Sequence, residues 1–266
     1  MQLSILHHTT YRYQEPVKYT AQTLRLTPRR DGGQRVVSWS IHAPGRRVEQ
    51  IDAHGNVAHL LTVDEPHREI ALLVSGSVEI ARSQDLVAHE GAVSPLAYAA
   101  ATALTMADEP IRSLARRHLG SGPLRRQLYD LAAGICESVR YRPGATRVDD
   151  PAAAALCRGE GVCQDQAHVF LACCRSIGLP ARYVSGYLCS VGVRETASHA
   201  WVEVWLNEEH GWHGIDVTHL APPGLGHCRL AVGRDYLDAA PIRGMRRGGG
   251  GEAMDVSVAV MPGAAQ

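Results

Sequence analysis

The feature that most constrains this chain is a change of hydrophobic period around residue 180. From Cys163 onward, Ala167, Phe170, Leu171, Cys174 and Ile177 recur at helical spacing. Gly178-Leu179-Pro180 stops that helix. Residues 181–188, 197–206 and 212–217 then read as strands. A one-faced helix followed by strands on short loops buries its stripe against an antiparallel sheet. This predicts an α+β fold with the helix that begins at Cys163 packed on that sheet.

The remainder sorts by texture. Residues 1–90 alternate apolar and polar side chains, as in Thr23-Leu24-Arg25-Leu26-Thr27-Pro28 and Val36-Val37-Ser38-Trp39-Ser40-Ile41. Turn residues punctuate them at Asp31-Gly32-Gly33, Pro44-Gly45 and His54-Gly55-Asn56. After Pro95 the chain becomes rich in Ala, Leu and Arg, which predicts helices over 96–119 and 124–140. Gly122-Pro123 marks the second helix's entry, and Pro143-Gly144 ends the region. The expected division is a β-rich N-terminal domain over 1–92 and a second domain over 93–266, the boundary lying near 88–95. Four glycines at 248–251 suit a loop or hairpin end, and Met254–Val260 reads as a closing strand.

Charge and composition exclude several classes. Twenty-seven basic and 27 acidic residues cancel, so no nucleic-acid partner is expected. No run approaches the ~20 apolar residues of a membrane span, and no membrane partner is expected. The start, Met1–His8, lacks the features of a secretory signal. Seven cysteines in no regular framework suggest free thiols, hence a reducing cytoplasm. Fourteen His and seven Cys invite a metal, yet no Cys-x-x-Cys pair or His-Glu-x-x-His helix is present. No metal and no cofactor are expected.

Cys163 is the first candidate for chemistry. A thiol at a helix start faces unpaired N–H groups and the positive end of the helix dipole, which favour the attacking thiolate. Its own backbone N–H points where an oxyanion would form. A buried helix-cap cysteine is the plainer alternative, and it suits the mid-helix Cys173 and Cys174 better. His199 lies on an alternating strand. Ala200, Val202, Val204 and Leu206 form its core face, while His199, Trp201, Glu203 and Trp205 form a half-aromatic face that could line a cleft. Asp216 ends the next strand. A regular hairpin centred on residue 209 would pair 199 with 219, so Asp216 reaches His199 only through an asymmetric loop, a bulge or a diagonal contact. His219 competes with it for proximity. Thiol, imidazole and carboxylate are the three parts of a thiol acyl-transfer site.

These residues resemble a known family. Gly161-Val162-Cys163-Gln164-Asp165-Gln166-Ala167-His168, then Ser198-His199-Ala200-Trp201-Val202-Glu203-Val204, then Gly211-Trp212-His213-Gly214-Ile215-Asp216 are similar to the bacterial transglutaminase-like family of the papain-like superfamily. Gly178–Tyr187 and Gly233–Gly244 resemble it too, and Leu6–Tyr13 with Leu24–Pro28 resembles its β-rich N-terminal region. The resemblance implies Cys163 as nucleophile, His199 as general base and acid, and Asp216 as the orienting carboxylate. It also makes Tyr141 a candidate second oxyanion donor, since relatives place an aromatic or amide side chain upstream of the cysteine. Asp216-Val217-Thr218-His219 departs from the usual Asp-Pro-Thr-Asn, so the local turn is expected to differ.

The expected function is a thiol-dependent amide hydrolase or peptidase acting on a peptide or protein amide through a thioester. Transfer to a primary amine is the alternative within the same chemistry. A peptide-binding module without catalysis is the alternative from another class.

Overall fold

The computed structural model of the protein describes residues 1–30, 33–81, 93–189 and 198–263. In chain order the first elements are β1 (Gln2–Leu24), β2 (Gln34–His42), β3 (Arg46–Ile51), β4 (Val57–Val63), β5 (His67–Ile80), α1 (Glu109–His118) and α2 (Leu124–Ser138). Next come β6 (Arg140–Tyr141), α3 (Ala152–Arg158), β7 (Glu160–Gly161), α4 (Cys163–Ser176), β8 (Ala181–Leu188) and β9 (Ser198–Asn207). The chain ends with β10 (Gly211–Ile215), β11 (His227–Gly233), α5 (Tyr236–Ala239), β12 (Ile242–Gly248) and β13 (Glu252–Pro262).

β1 is the spine of the first sheet, whose order is β2-β5-β1-β4-β3 with β12 and β13 also pairing β1. Alternation sends Leu3, Ile5, Tyr11 and Tyr13 to the buried face. Pairing with β5 slips between Arg12 and Val17, a stretch that contains Pro16, which has no N–H to give the ladder.

The expected division places residues 242–262 in the second domain, yet β12 pairs Val17–Leu24 and β13 pairs Leu3–Tyr13 of β1, so these strands join the first sheet. The alternation of Met254–Val260 revealed a strand, whereas its partner lies some 250 residues upstream and leaves no local trace. Residues 88–92 of the expected boundary, and Asp31-Gly32 of one expected turn, lie outside the described residues.

The second sheet runs β10-β9-β8-β11, antiparallel throughout, with α4 packed on β8 and β9. This is the α+β arrangement that the change of period predicts, and it matches a papain-like core. Helix α4 places Val169, Phe170 and Leu171 in a core shared with Leu128, Leu131 and Ile135 of α2 and with Val202 and Val204 of β9. The helix expected over 96–119 is α-helical only from Glu109. Two short 3₁₀ turns, Pro95–Ala99 and Ala103–Thr105, precede it. Asp108 caps α1 by accepting the Ile111 N–H, and Pro110 fits only the first turn. Helix α3 was not anticipated; it is short and closes at Gly159 in the left-handed conformation (φ 73°).

The two sheets meet along β11, the edge strand of the second. Asn56 accepts the Val232 N–H at 2.8 Å and donates to the Val232 carbonyl at 2.8 Å. Gln34 does the same for Arg229, at 2.9 and 2.7 Å. Two side-chain amides thus stand in for a neighbouring strand. Leu230 also packs with Leu3, Ile5, Val78 and Ile80 of the first sheet.

Candidate active site

The start of α4 is built around Asp165. Its carboxylate accepts the Val162 N–H at 2.7 Å and the Thr146 hydroxyl at 2.6 Å, which satisfies one of the helix's open N–H groups. Burial pushes the Asp165 carboxyl up, against these two hydrogen bonds. A Cβ at Gly161 would lie 2.7 Å from both the Asp165 Cβ and Oδ2, so only glycine leaves room for this cap. β7 pairs in parallel with β6, which sets Tyr141 opposite Gly161, two residues before Cys163.

Cys163 follows as the first residue of α4, half-buried. Cys173 and Cys174 are fully buried, and burial pushes the Cys173 thiol up to about 12 and that of Cys174 well above its ordinary value. Neither is available as a thiolate at neutral pH.

His199 sits near the start of β9, opposite Gly186 of β8. Asp216 follows β10. The β9–β10 hairpin shifts register between Gly211 and Trp212, after which Trp212 pairs Trp205 and Ile215 pairs Val202. Continued by one residue, that register sets Asp216 diagonal to His199 on the same face. A bulge and a diagonal contact together bring the pair within reach. A backbone bridge to Ala221 then holds Asp216, and the returning turn places Leu220 at φ 54°.

The resulting geometry is tight. His199 Nε2 donates to Asp216 Oδ2 at 2.8 Å, and the Cys163 side chain hydrogen-bonds the same ring. With Nε2 occupied, Nδ1 is the nitrogen left for the thiol. Burial would lower the His199 imidazole, but the Asp216 and Cys163 hydrogen bonds, with the charges of both groups, raise it to about 9. Asp216 is 0% exposed. Burial would raise its carboxyl, yet hydrogen bonds from His199 and His227 hold it far below the carboxylate range.

Tyr141 is half-exposed beside the site. Burial, and then the charge of Cys163, pushes its phenol up. The Cys163 N–H lies in the first turn, where the helix supplies no acceptor.

Part of the expected cleft wall is core. Trp201 packs on Val184 and Val232, and Trp205 and Trp212 cluster with Tyr98. Glu203 is buried between Arg182 (2.6 Å) and Arg229 (2.8 Å). Of that face of β9, His199 meets Asp216, Trp201 packs beside the His199 and His227 rings, and Glu203 and Trp205 are taken up by other partners.

Further histidines and a turn contact complete the arrangement. Asp216 Oδ2 also accepts His219 Nδ1 at 2.8 Å and His227 Nε2 at 2.9 Å. Thr218 donates to Gln166 Oε1 at 2.8 Å, tying the Asp216 turn to α4. His219 had been identified as a neighbour of the pair. His227 carried no signal, since it belongs to a strand that meets Asp216 only in three dimensions.

Among the described residues, His199, Asp216 and His227 bring three potential metal-ligand atoms within 4.8 Å of one another. The hydrogen bonds argue against a metal there. His227 Nδ1 accepts the Gly224 N–H at 3.0 Å, so the ring proton is on Nε2, the atom a metal would need. Ligating imidazoles instead donate from their second nitrogen.

Comparison with known proteins agrees with this architecture. Residues 3–79 match the model of the bacterial transglutaminase-like N-terminal region, and residues 112–217 match that of the transglutaminase-like superfamily. The uncharacterized protein Rv2569c of Mycobacterium tuberculosis is 32% identical, over 97% of this chain and 92% of its own length. The uncharacterized protein ML0607 of Mycobacterium leprae is 30% identical, over 97% of this chain and 98% of its own. A crystal structure of a Cytophaga hutchinsonii protein, provisionally assigned as a cysteine protease, has the same fold. Its TM-score is 0.78 at 21% identity, and the match covers 100% of this chain and 92% of that one. The chain belongs to the bacterial transglutaminase-like family, a β-rich N-terminal region joined to a papain-like thiol-enzyme core.

Proposed function

We propose that the protein is a thiol-dependent amide hydrolase working through a Cys163–His199–Asp216 triad on a peptide or protein amide. One observation carries this: a single imidazole is hydrogen-bonded both to Asp216, at 2.8 Å through Nε2, and to the Cys163 side chain. Cys163 Sγ attacks the amide carbonyl, and the Cys163 N–H and Tyr141 hydroxyl receive the oxyanion. His199, which keeps its proton to about pH 9, donates it to the leaving amine. The thioester that forms has no charge on sulfur. His199 then loses one of the partners that raised it and can act as base toward water.

Water is favoured as the acceptor because the structural relative from C. hutchinsonii carries a protease assignment. A primary amine is the second reading, and a non-catalytic binding module is the third. Seven free thiols are consistent with a reducing compartment such as the cytoplasm.

The deciding experiment incubates the protein with a peptide library and a fluorescent primary amine, and identifies products by mass spectrometry. New peptide termini support hydrolysis; amine adducts support transfer. If the protein gives neither product and no acyl adduct on Cys163, the enzymatic proposal fails.

A further inference from the structure

We propose that His227 is a positioning residue for this site, clamping the Asp216 carboxylate with the N–H of a neutral, tautomer-locked imidazole. The inference rests on the triad reading and adds a fourth member to it. His227 opens β11 and is 9% exposed. Its Nδ1 accepts the Gly224 N–H at 3.0 Å, and its Nε2 donates to Asp216 Oδ2 at 2.9 Å. The Trp201 ring packs edge-on against it, with centroids 5.3 Å apart and planes at 87°. Both ring nitrogens and the ring's surroundings are therefore committed to one orientation.

The chemistry explains why a neutral donor suits this position. Asp216 is buried, and among the described residues its side-chain hydrogen-bond donors are all imidazoles: His199, His219 and His227. Its other oxygen takes the His219 backbone N–H at 3.2 Å. Without His227, the side-chain donors left on Oδ2 are His199 itself and His219, whose ring is half-exposed, so the buried side of the carboxylate would lose the donor that fixes it. A second cation in place of His227 would compete with His199 for the negative charge. A neutral N–H fixes the oxygen without competing. The other titratable groups facing Asp216 and the ring are few: His199 from β9, His219 from the turn after β10, Cys136 from α2, and Cys163 beyond His199 on α4.

The clamp also reaches the first sheet. β11 is the strand whose edge Gln34 and Asn56 hold at Arg229 and Val232. Through His227, the β-rich N-terminal region contributes to the placement of the catalytic carboxylate without touching it.

The test follows alkylation of Cys163 by iodoacetamide between pH 5 and 10, read by peptide mass spectrometry so that the other six thiols do not contribute. It compares the natural protein with His227→Gln, which keeps an N–H toward Asp216, and His227→Phe, which does not. His227→Phe should lower the Cys163 rate at pH 7.5 on the order of tenfold, the loss of one hydrogen bond to a charged group, and displace the pH profile. His227→Gln should restore both to within about twofold. A folded His227→Phe with the natural profile overturns the proposal, as does an equal displacement in both variants, which marks a merely structural role. Should His227→Phe not fold, ¹⁵N-histidine spectra of the natural protein at pH 7.5 decide the matter. A proton on Nε2 of His227 supports the clamp, and a proton on Nδ1 overturns it. An inert Cys163 in the natural protein would instead sink the hydrolase reading, and the ¹⁵N measurement would still decide the placement of His227.

Discussion

Asp216→Asn keeps the shape of the buried acceptor and removes its charge. His199 stands at about 9 because Asp216 and Cys163 together overcome its burial. The gap from its ordinary 6.5 corresponds to ~3 kcal/mol, the net of what those two partners supply over the opposing effect of burial. Without the carboxylate charge, burial remains and the ring falls towards 6.5. At pH 7.5 its protonated fraction then drops from nearly complete towards a minority. The sign of the stability change follows from both partners. A raised imidazole contributes stability that is fully present below 6.5 and lost as pH rises through about 9. A depressed carboxyl contributes stability that is present above 3.8 and lost as pH falls. The natural protein should therefore exceed Asp216→Asn in stability most between pH 4 and 6.5. Three measurements check this: the His199 Hε1 resonance against pH, urea unfolding at pH 5.5 and pH 9.5, and Cys163 alkylation at pH 7.5. A His199 midpoint that stays near 9 in Asp216→Asn refutes the reasoning. So does a larger displacement in His219→Gln, which would hand the orienting role to His219.

Other outcomes follow from the same contacts. Cys163→Ala should abolish amide cleavage or transfer, a loss on the order of 10⁶ in turnover, with the melting temperature preserved. Replacing Cys173 or Cys174 by Ala should instead change stability, because both are 0% exposed core residues. Gly161→Ala should cost about 1–3 kcal/mol in chemical denaturation and slow Cys163 alkylation, since the new Cβ meets the Asp165 cap at 2.7 Å. An Ala variant as stable and reactive as the natural protein would remove the cap from the account. Asn56→Leu leaves both backbone groups of Val232 without their partner, and should lower stability by roughly 1–3 kcal/mol for each group left unpaired. Faster hydrogen exchange at β11 would locate the loss at the junction of the two sheets.

Much of the site was legible because its parts sit at the edges of local patterns. The stripe from Ala167 to Ile177 set the start of α4 and hence placed Cys163 in its first turn. The alternation after Pro180 placed His199 on a strand, and the hairpin arithmetic called for an irregularity or a diagonal contact; the chain supplies a register shift between Gly211 and Trp212 and a diagonal contact. Elsewhere local composition misled. The Ala-rich stretch after Pro95 has helical propensity, but Asp108 and Pro110 delay the helix to Glu109 because they favour its first turn. The indoles of β9 and β10 could border a cleft or pack in the core, core being the commoner place for an indole on a strand, and the packing of Tyr98, Val184 and Val232 shows that they are core.

By itself, the order of residues determined the α+β class, the place of Cys163 at a helix N-terminus and of His199 on a strand, and the resemblance to the family. Periodicity, caps and turn residues act over a few positions and are written locally. Tertiary structure alone decided that β12 and β13 return to β1, that Gln34 and Asn56 hold the edge of β11, and that three imidazoles converge on one oxygen of Asp216. Each joins residues distant in the chain, and a long-range contact is chosen by which buried polar group finds a partner once the sheets have packed.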